Sequence, residues 1–450
     1  MAFQQTRASS RLPQECWDEI VSMLDTADLN SCALTASRLL HPAQAVLFHD
    51  ITVVHPKDAV GLASGETFLT QEQNLAYIIG AYTRLHSVLV SSPHLKSRIR
   101  VISLAAHVES VAIVADMDLP RISDMTLVGP DERPALDGPL VPSLTRLIGL
   151  PSLRRLNLRS DFDPSIFADC SSSLEELVLD GVRPRKPWNE WAPSTTRERP
   201  ALKRLHLQLV REEEGVYDEE EEEDDEEEEE DDEDEDDSDS DDEEDESGRS
   251  ALAWLLHPNS PFVLTGVEEL TIFGPMTGDA HLLLQSAAPS IQRLDIGPNE
   301  IIEHLNLAPL SDLNFLRFYI TKLNDIALLF GPLLRLVRNT HTNKIRIICF
   351  EVLEFSVADM NAELEAELCS FHEQFKQLHR EGALPSLQLV GLPLLPEPLG
   401  RDPAPGSSVW TGESWRREDG GGLCFVLLLQ CLEGNRRTYP FRMDFILSSP

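Results

Sequence analysis

The sequence predicts an α/β chain, with a short all-helical N-terminus followed by a solenoid of stacked strand-and-return repeats that a disordered acidic insertion interrupts. Three observations predict it. Apolar residues near the start recur at three- and four-residue steps, an apolar-x-x-apolar-x-apolar hexad recurs from residue 99 onward, and 30 acidic residues with no basic one lie between Glu212 and Glu246. The first spacing is helical, the second that of short strands. The third segment has almost nothing apolar to bury.

Residues 1–10 read as a flexible terminus and 11–53 as a helical module. Pro13 suits a first helical position, where the missing N–H costs nothing. Cys16, Trp17, Ile20 and Leu24 then share one helical face. Asp28 is placed to cap a second helix carrying Leu29, Cys32 and Leu34. Two short helices cannot bury their own apolar faces, so they need a partner, either the rest of the chain or another protein.

Residues 54–98 read as a helical linker, and the repeats occupy 99–210 and 250–390. Their hexads are Ile99-Ile102-Leu104, Ile122-Met125-Leu127, Leu153-Leu156-Leu158, Leu174-Leu177-Leu179 and Leu202-Leu205-Leu207. Val267-Leu270-Ile272, Ile291-Leu294-Ile296 and Leu313-Leu316-Phe318 follow the acidic run, with weaker copies at Ile345-Ile348-Phe350 and Leu384-Leu387-Leu389. Such intervals suit leucine-rich repeats with irregular connections. One unit cannot cover its core face, whereas stacked neighbours can. The insertion, residues 211–249, falls between one strand and its return segment. Ser250 to Leu256 reads as the resumed outer helix.

Parallel stacking would align the polar positions into columns. One runs Asp124, Arg155, Glu176, Arg204, Glu269, Arg293, Phe315, with charges alternating in sign as a neutralising ladder would. The next runs Ser103, Thr126, Asn157, Val178, His206, Thr271, Asp295, Arg317. A third holds Arg159, Asp180, Gln208, Phe273, Gly297 and Tyr319. Phe273, Phe315, Arg317 and Tyr319 would thus bring aromatic and arginine side chains to exposed positions, the composition of interface hot spots. The C-terminal segment could cover them instead. Trp188 and Trp191, among prolines, read as a loop folded back on the repeats or as a peptide-binding loop.

Toward the C-terminus, Leu364, Leu368, Phe371, Phe375 and Leu378 predict an amphipathic helix stopped by Gly382. Residues 391–422 read as a Pro- and Gly-rich loop. Residues 423–450 read as a closing hairpin with strands at 424–432 and 438–446.

The acidic run carries most of the formal charge of −39. It could be a solvated insertion, a bait for basic proteins such as histone tails, or a screen over a neighbouring surface; its sign disfavours direct contact with nucleic acid. Ser238 and Ser240, each with an acidic residue three positions on, resemble acid-directed kinase sites. Seven scattered cysteines without a Cys-x-x-Cys pair predict a reducing compartment and no zinc site. With no apolar signal core and no run long enough to span a bilayer, a cytoplasmic or nuclear protein without membrane contact is expected. Phosphate-loop, dinucleotide, nucleophile-elbow and zinc-protease motifs are missing, and His372-Glu373 lacks the second histidine at Lys376. No enzyme, cofactor or metal is therefore expected.

The N-terminal pattern of Leu12, Pro13, Glu15, Ile20, Leu24, Asp28, Leu29 and Leu34, followed by Leu47-Phe48-His49-Asp50-Ile51, resembles F-box proteins, specifically the large basidiomycete group. Where that family usually has Val-Cys-x-x-Trp, this chain has Thr35-Ala36-Ser37-Arg38-Leu39, so Leu39 stands in for a larger aromatic. The resemblance implies docking on a Skp-type adaptor and its cullin scaffold through Leu12, Pro13, Ile20, Leu24, Leu29, Leu34 and Leu39. It implies a substrate receptor of a ubiquitin ligase, with the repeats holding the substrate. The helices could alternatively cap the following domain. A second class of protein, a nuclear acidic leucine-rich scaffold or chaperone, is similar in its acidic tract but carries that tract after the repeats.

Overall fold

The computed structural model describes residues 13–35, 37–53, 71–129, 136–184, 198–209, 251–274, 278–297, 307, 309–322, 344–355, 370, 374, 377, 380–381, 386, 389–391, 394–396, 423–428 and 442–447. It is an α/β structure with an N-terminal helical stretch and predominantly parallel strands. Two compact units divide it: residues 1–179 with 191–200, and 180–190 with 201–450.

The first unit opens with α1 (Gln14–Ser22), α2 (Thr26–Thr35) and α3 (Ser37–Leu47). Pro13 precedes α1 rather than entering it, because its ψ of 154° is extended. The α2 cap is Asp25, not Asp28: its carboxylate accepts the Asp28 N–H at 2.8 Å. Asp28 sits one turn in, where an acidic side chain still favours the helix dipole. The third helix provides the burial that two helices lacked. Val21, Leu29 and Ala43 form a closed core, lined by Leu24, Cys32, Ala33, Leu39, Val46 and Leu47. Val21, rather than Ile20, therefore marks the buried face of α1.

Five strands follow: β1 (Asp50–Thr52), β2 (Val101–Ala105), β3 (Asp124–Val128), β4 (Arg155–Arg159) and β5 (Glu176–Asp180). They pair in chain order, all parallel, with Ile51, Ile102, Met125, Leu156 and Leu177 in one register row. Alternation directs the second and third residues of each hexad to the core, and the first lies just before its strand. Ile99, Ile102, Ile122, Leu127, Leu153, Leu156, Leu158, Leu174 and Leu177 are all fully buried. Return segments include α4 (Gln71–Ser91) before β2, α5 (Val108–Asp116) and α6 (Val141–Ile148). The buried Tyr82 of α4 donates its phenol hydrogen to the Ser103 carbonyl oxygen at 3.2 Å, and burial raises its pKa.

Burial likewise pushes the Cys170 thiol up to about 12. The folded value lies above the ordinary thiol value, so this contribution to stability is complete below the ordinary value and is lost as pH rises toward the folded one. Urea midpoints between pH 8 and 11 should fall less steeply for Cys170→Ala than for the parent. In the folded protein at pH 8, thiol reagents should label the half-buried Cys16 and Cys32 well before Cys170.

In the second unit β6 (Arg204–Gln208), β7 (Glu269–Phe273), β8 (Arg293–Ile296), β9 (Phe315–Lys322) and β10 (Ile347–Phe355) are parallel and paired in chain order. β11 (Leu389–Gly391) and β12 (Leu394–Pro396) extend along β10. β14 (Arg442–Leu447) pairs antiparallel with β11 and with β13 (Leu423–Leu428). α7 (Ala251–Leu256) and α8 (Gly278–Ala287) cover the core side. Ser370, Gln374, Gln377 and Arg380 are exposed helical positions at three- and four-residue steps. The acidic run, Trp188, Trp191, Leu384, Leu387 and His372-Glu373 lie outside the described residues.

Candidate functional site

Two surfaces gather the residues singled out by sequence. On the N-terminal helices the set divides by burial. Leu29 is in the core, and Leu24 and Leu39 pack against it, so these three shape the module from within. Pro13 is exposed, Ile20 is 44% exposed and Leu34 88%. Met23, the C-cap of α1, is 75% exposed and joins the outward apolar group, although the spacing of the sequence did not select it. Leu12 lies outside the described residues.

Apolar side chains are common on protein surfaces singly. Three large ones on helices whose core is already closed are different, because further folding of that module cannot cover them. Ile20 and Met23, three residues apart, share one side of α1 and its C-cap, and Leu34 stands on α2.

In the second unit, register brings Phe273, Phe315, Arg317 and Tyr319 together, half-buried rather than exposed. Phe315, Arg317 and Tyr319 share one face of β9 by alternation. The Arg317 guanidinium lies 5.4 Å from the Phe315 ring centroid and 5.5 Å from that of Tyr319, and its Nη1 donates to the Tyr319 hydroxyl at 2.9 Å. The Arg293 guanidinium also lies over the Phe315 ring, 4.5 Å from its centroid. These stacks fix guanidinium planes that would otherwise sample many rotamers.

The upper edge of the cluster depends on a glycine. Phe273 and Tyr319, on strands separated by β8, meet with centroids 4.6 Å apart. Between them Gly297 follows β8, and a Cβ there would come within 2.7 Å of the Phe273 ring and 2.8 Å of its Cα. Gly297→Ala should therefore part the two rings and cost about 1–3 kcal/mol through overpacking. Urea denaturation would measure the loss.

One rung of the charge ladder forms in the first unit, and the column is redirected in the second. Arg155 bridges to Glu176 at 2.9 Å, as the alternating column implies, and the Glu176 side chain is only 8% exposed. Arg293 does not turn to Glu269. Its Nε and Nη2 instead form a fork on Asp295 of the same strand, at 2.9–3.1 Å. A buried carboxylate demands a donor more than a hydrated one does, and Asp295 is buried.

Among the described residues no group of His, Cys, Asp and Glu could hold a metal ion, and no helix is long and apolar enough to cross a membrane. No family model matches the chain, and no curated protein matches it.

Proposed function

We propose that this chain is an F-box substrate-recognition subunit of a Skp–cullin-type ubiquitin ligase. Its N-terminal helices hold the adaptor, and its parallel strands form an irregular leucine-rich-repeat solenoid that presents a protein substrate. The carrying observation is the outward apolar group of Ile20, Met23 and Leu34 on a module with its own closed core. Pro13, also exposed, precedes α1, and the core residues Leu24, Leu29 and Leu39 hold the helices that display the group.

The role is one of proximity, not catalysis. A receptor raises the effective concentration of substrate lysines near a ubiquitin-charged enzyme borne by the cullin scaffold. Substrate contact is assigned to Phe273, Phe315, Arg317 and Tyr319, whose stacked aromatic and guanidinium planes suit an interface centre.

Co-purification with a Skp-type adaptor tests the reading. Tagged parent protein should retain the adaptor, and a variant with both Ile20 and Leu34 changed to aspartate should not. Equal recovery from both would overturn it. Salt-sensitive capture of histones that disappears on deleting residues 212–246 would then favour the scaffold reading of the acidic run.

A further inference from the structure

We infer that Ser22 is a phosphorylation site for an acid-directed serine kinase, and that a phosphate there loosens the last turn of α1 and releases the adaptor. The release rests on the adaptor reading above, whereas the loosening does not. Six serines and threonines lie between residues 13 and 53, and Ser22 is the one with an acidic residue three positions on, Asp25. Asp18 and Glu19 precede it, so carboxylates flank it on both sides.

The fold puts this serine within reach of an enzyme. Ser22 is the last residue of α1, and the chain turns through Met23, Leu24 and Asp25 into α2. Ser22, Met23 and Asp25 are exposed. Its hydroxyl donates locally, to the Glu19 carbonyl oxygen at 2.7 Å, so modification displaces one short-range bond. Transfer of the γ-phosphoryl group of ATP forms a P–O bond at Ser22 Oγ and breaks the bond to the β-phosphate oxygen. ADP and the hydroxyl proton leave.

The product meets no counter-charge on its own helices. α1 and α2 carry no Lys, Arg or His, while Glu15, Asp18, Glu19 and Asp28 stand on them and Asp25 between them. A phosphoserine adds about −1.5 to −2 charge near neutral pH, and beside carboxylates at a helix C-terminus it disrupts rather than orders. Ser22 stands three and four residues after Glu19 and Asp18, the helical spacing at which like charges repel. The end of the helix dipole it joins favours cations. Both forces act on the turn that carries Ile20, Val21 and Met23. Val21 belongs to the closed core, and Ile20 and Met23 are two of the three outward apolar residues. Loosening that turn withdraws the core contact and the displayed group together.

The experiment installs phosphoserine at position 22 of the full chain during synthesis, beside the parent and Ser22→Ala. Amide exchange in the peptide spanning residues 17–25 should be about tenfold faster or more with the phosphate at low salt. It should return toward the parent in about 1 M salt, where screening acts within about 3 Å. Capture of a Skp-type adaptor should fall about tenfold or more, and Ser22→Ala should stay within about threefold of the parent in both measurements. An acid-directed serine kinase with ATP should place phosphate on Ser22 of the folded parent, as mapped by mass spectrometry. Failure to modify Ser22 would overturn the site. Parent-like or slower exchange would overturn the loosening, slower exchange meaning that a cation such as Arg38 or His41 of α3 receives the phosphate. Equal capture by the parent and the phosphoserine chain would overturn the release alone. A parent that captures no adaptor would overturn the adaptor reading and the release with it, and exchange would still decide the loosening.

Discussion

Changing Ile20 and Leu34 together to aspartate is expected to reduce adaptor capture at least 100-fold while leaving the melting temperature within about 2 °C of the parent. Leu34 is 88% exposed and Ile20 44%, so the folded chain loses little buried area at Leu34 and only part of one side chain's at Ile20. Surface changes away from packed features usually stay within about 0.5 kcal/mol. In a complex the same aspartates would have to be desolvated against apolar partner groups. Truncating a buried interface anchor commonly costs about 2 kcal/mol or more, and each 1.4 kcal/mol is tenfold in affinity, so two such sites reach the stated loss.

Leu29→Asp supplies the contrast. Leu29 is buried with Val21 and Ala43, so a carboxylate there enters an apolar core without a partner. Adaptor capture should fail for that variant too, but with loss of helical signal and a lowered melting temperature. The separation between the two phenotypes carries the test: loss of capture with a native melt identifies a contact, whereas loss with unfolding identifies a core position. Met23→Asp, alone, should behave like the Ile20 and Leu34 changes, since its side chain is the second most exposed of the three.

Several elements were legible because their residues admit few alternatives. Each hexad places two apolar residues on the core side of a short strand and a third just before it, and from Ile99 through Phe318 every one of them is buried. That density leaves no competing face. β1 was harder to see, because a three-residue strand carries one core-facing residue, Ile51, and one residue has no period. Its pairing with β2 comes from a distant segment, Val101 to Ser103.

Which apolar residue of α1 turns inward was not legible in the sequence for a related reason. Ile20 and Val21 are adjacent apolar residues about 100° apart, and the spacing to Leu24 alone suits either. What selects Val21 is α3, whose Ala43 closes the core and whose presence the pattern of the first two helices did not announce. The aromatic cluster shows the opposite case. Register aligned Phe273, Phe315, Arg317 and Tyr319 correctly into neighbouring positions, yet their depth was set by side-chain reach. Arginine arms folded over rings and onto Asp295, which column order cannot express. Asn157 was visible as a column member, but its burial depends on neighbours supplied by β3 and β5.

Trp254→Ala should cost the second unit about 3–5 kcal/mol, the usual range for emptying a fully buried large aromatic position. Trp254 is completely buried on α7, with Phe262 edge-on at 5.6 Å and 88°. This short helix is the first described element after the acidic run, so its packing is where a long, like-charged connection is tied back to the strands. The two effects can be separated. Deleting residues 212–246, which shortens the connection from about 40 residues to about 6, should lower the closure entropy, stabilising the unit by roughly 1.7 kcal/mol, with relief of repulsion adding to it at low salt. That gain is smaller than the cost of losing the tryptophan. A chain carrying both changes should therefore remain less stable than the parent by roughly 1–3 kcal/mol, the difference of the two terms, in urea melts at high salt. Parent-like stability in the combined variant would show that the connection, rather than the anchor, governs the unit.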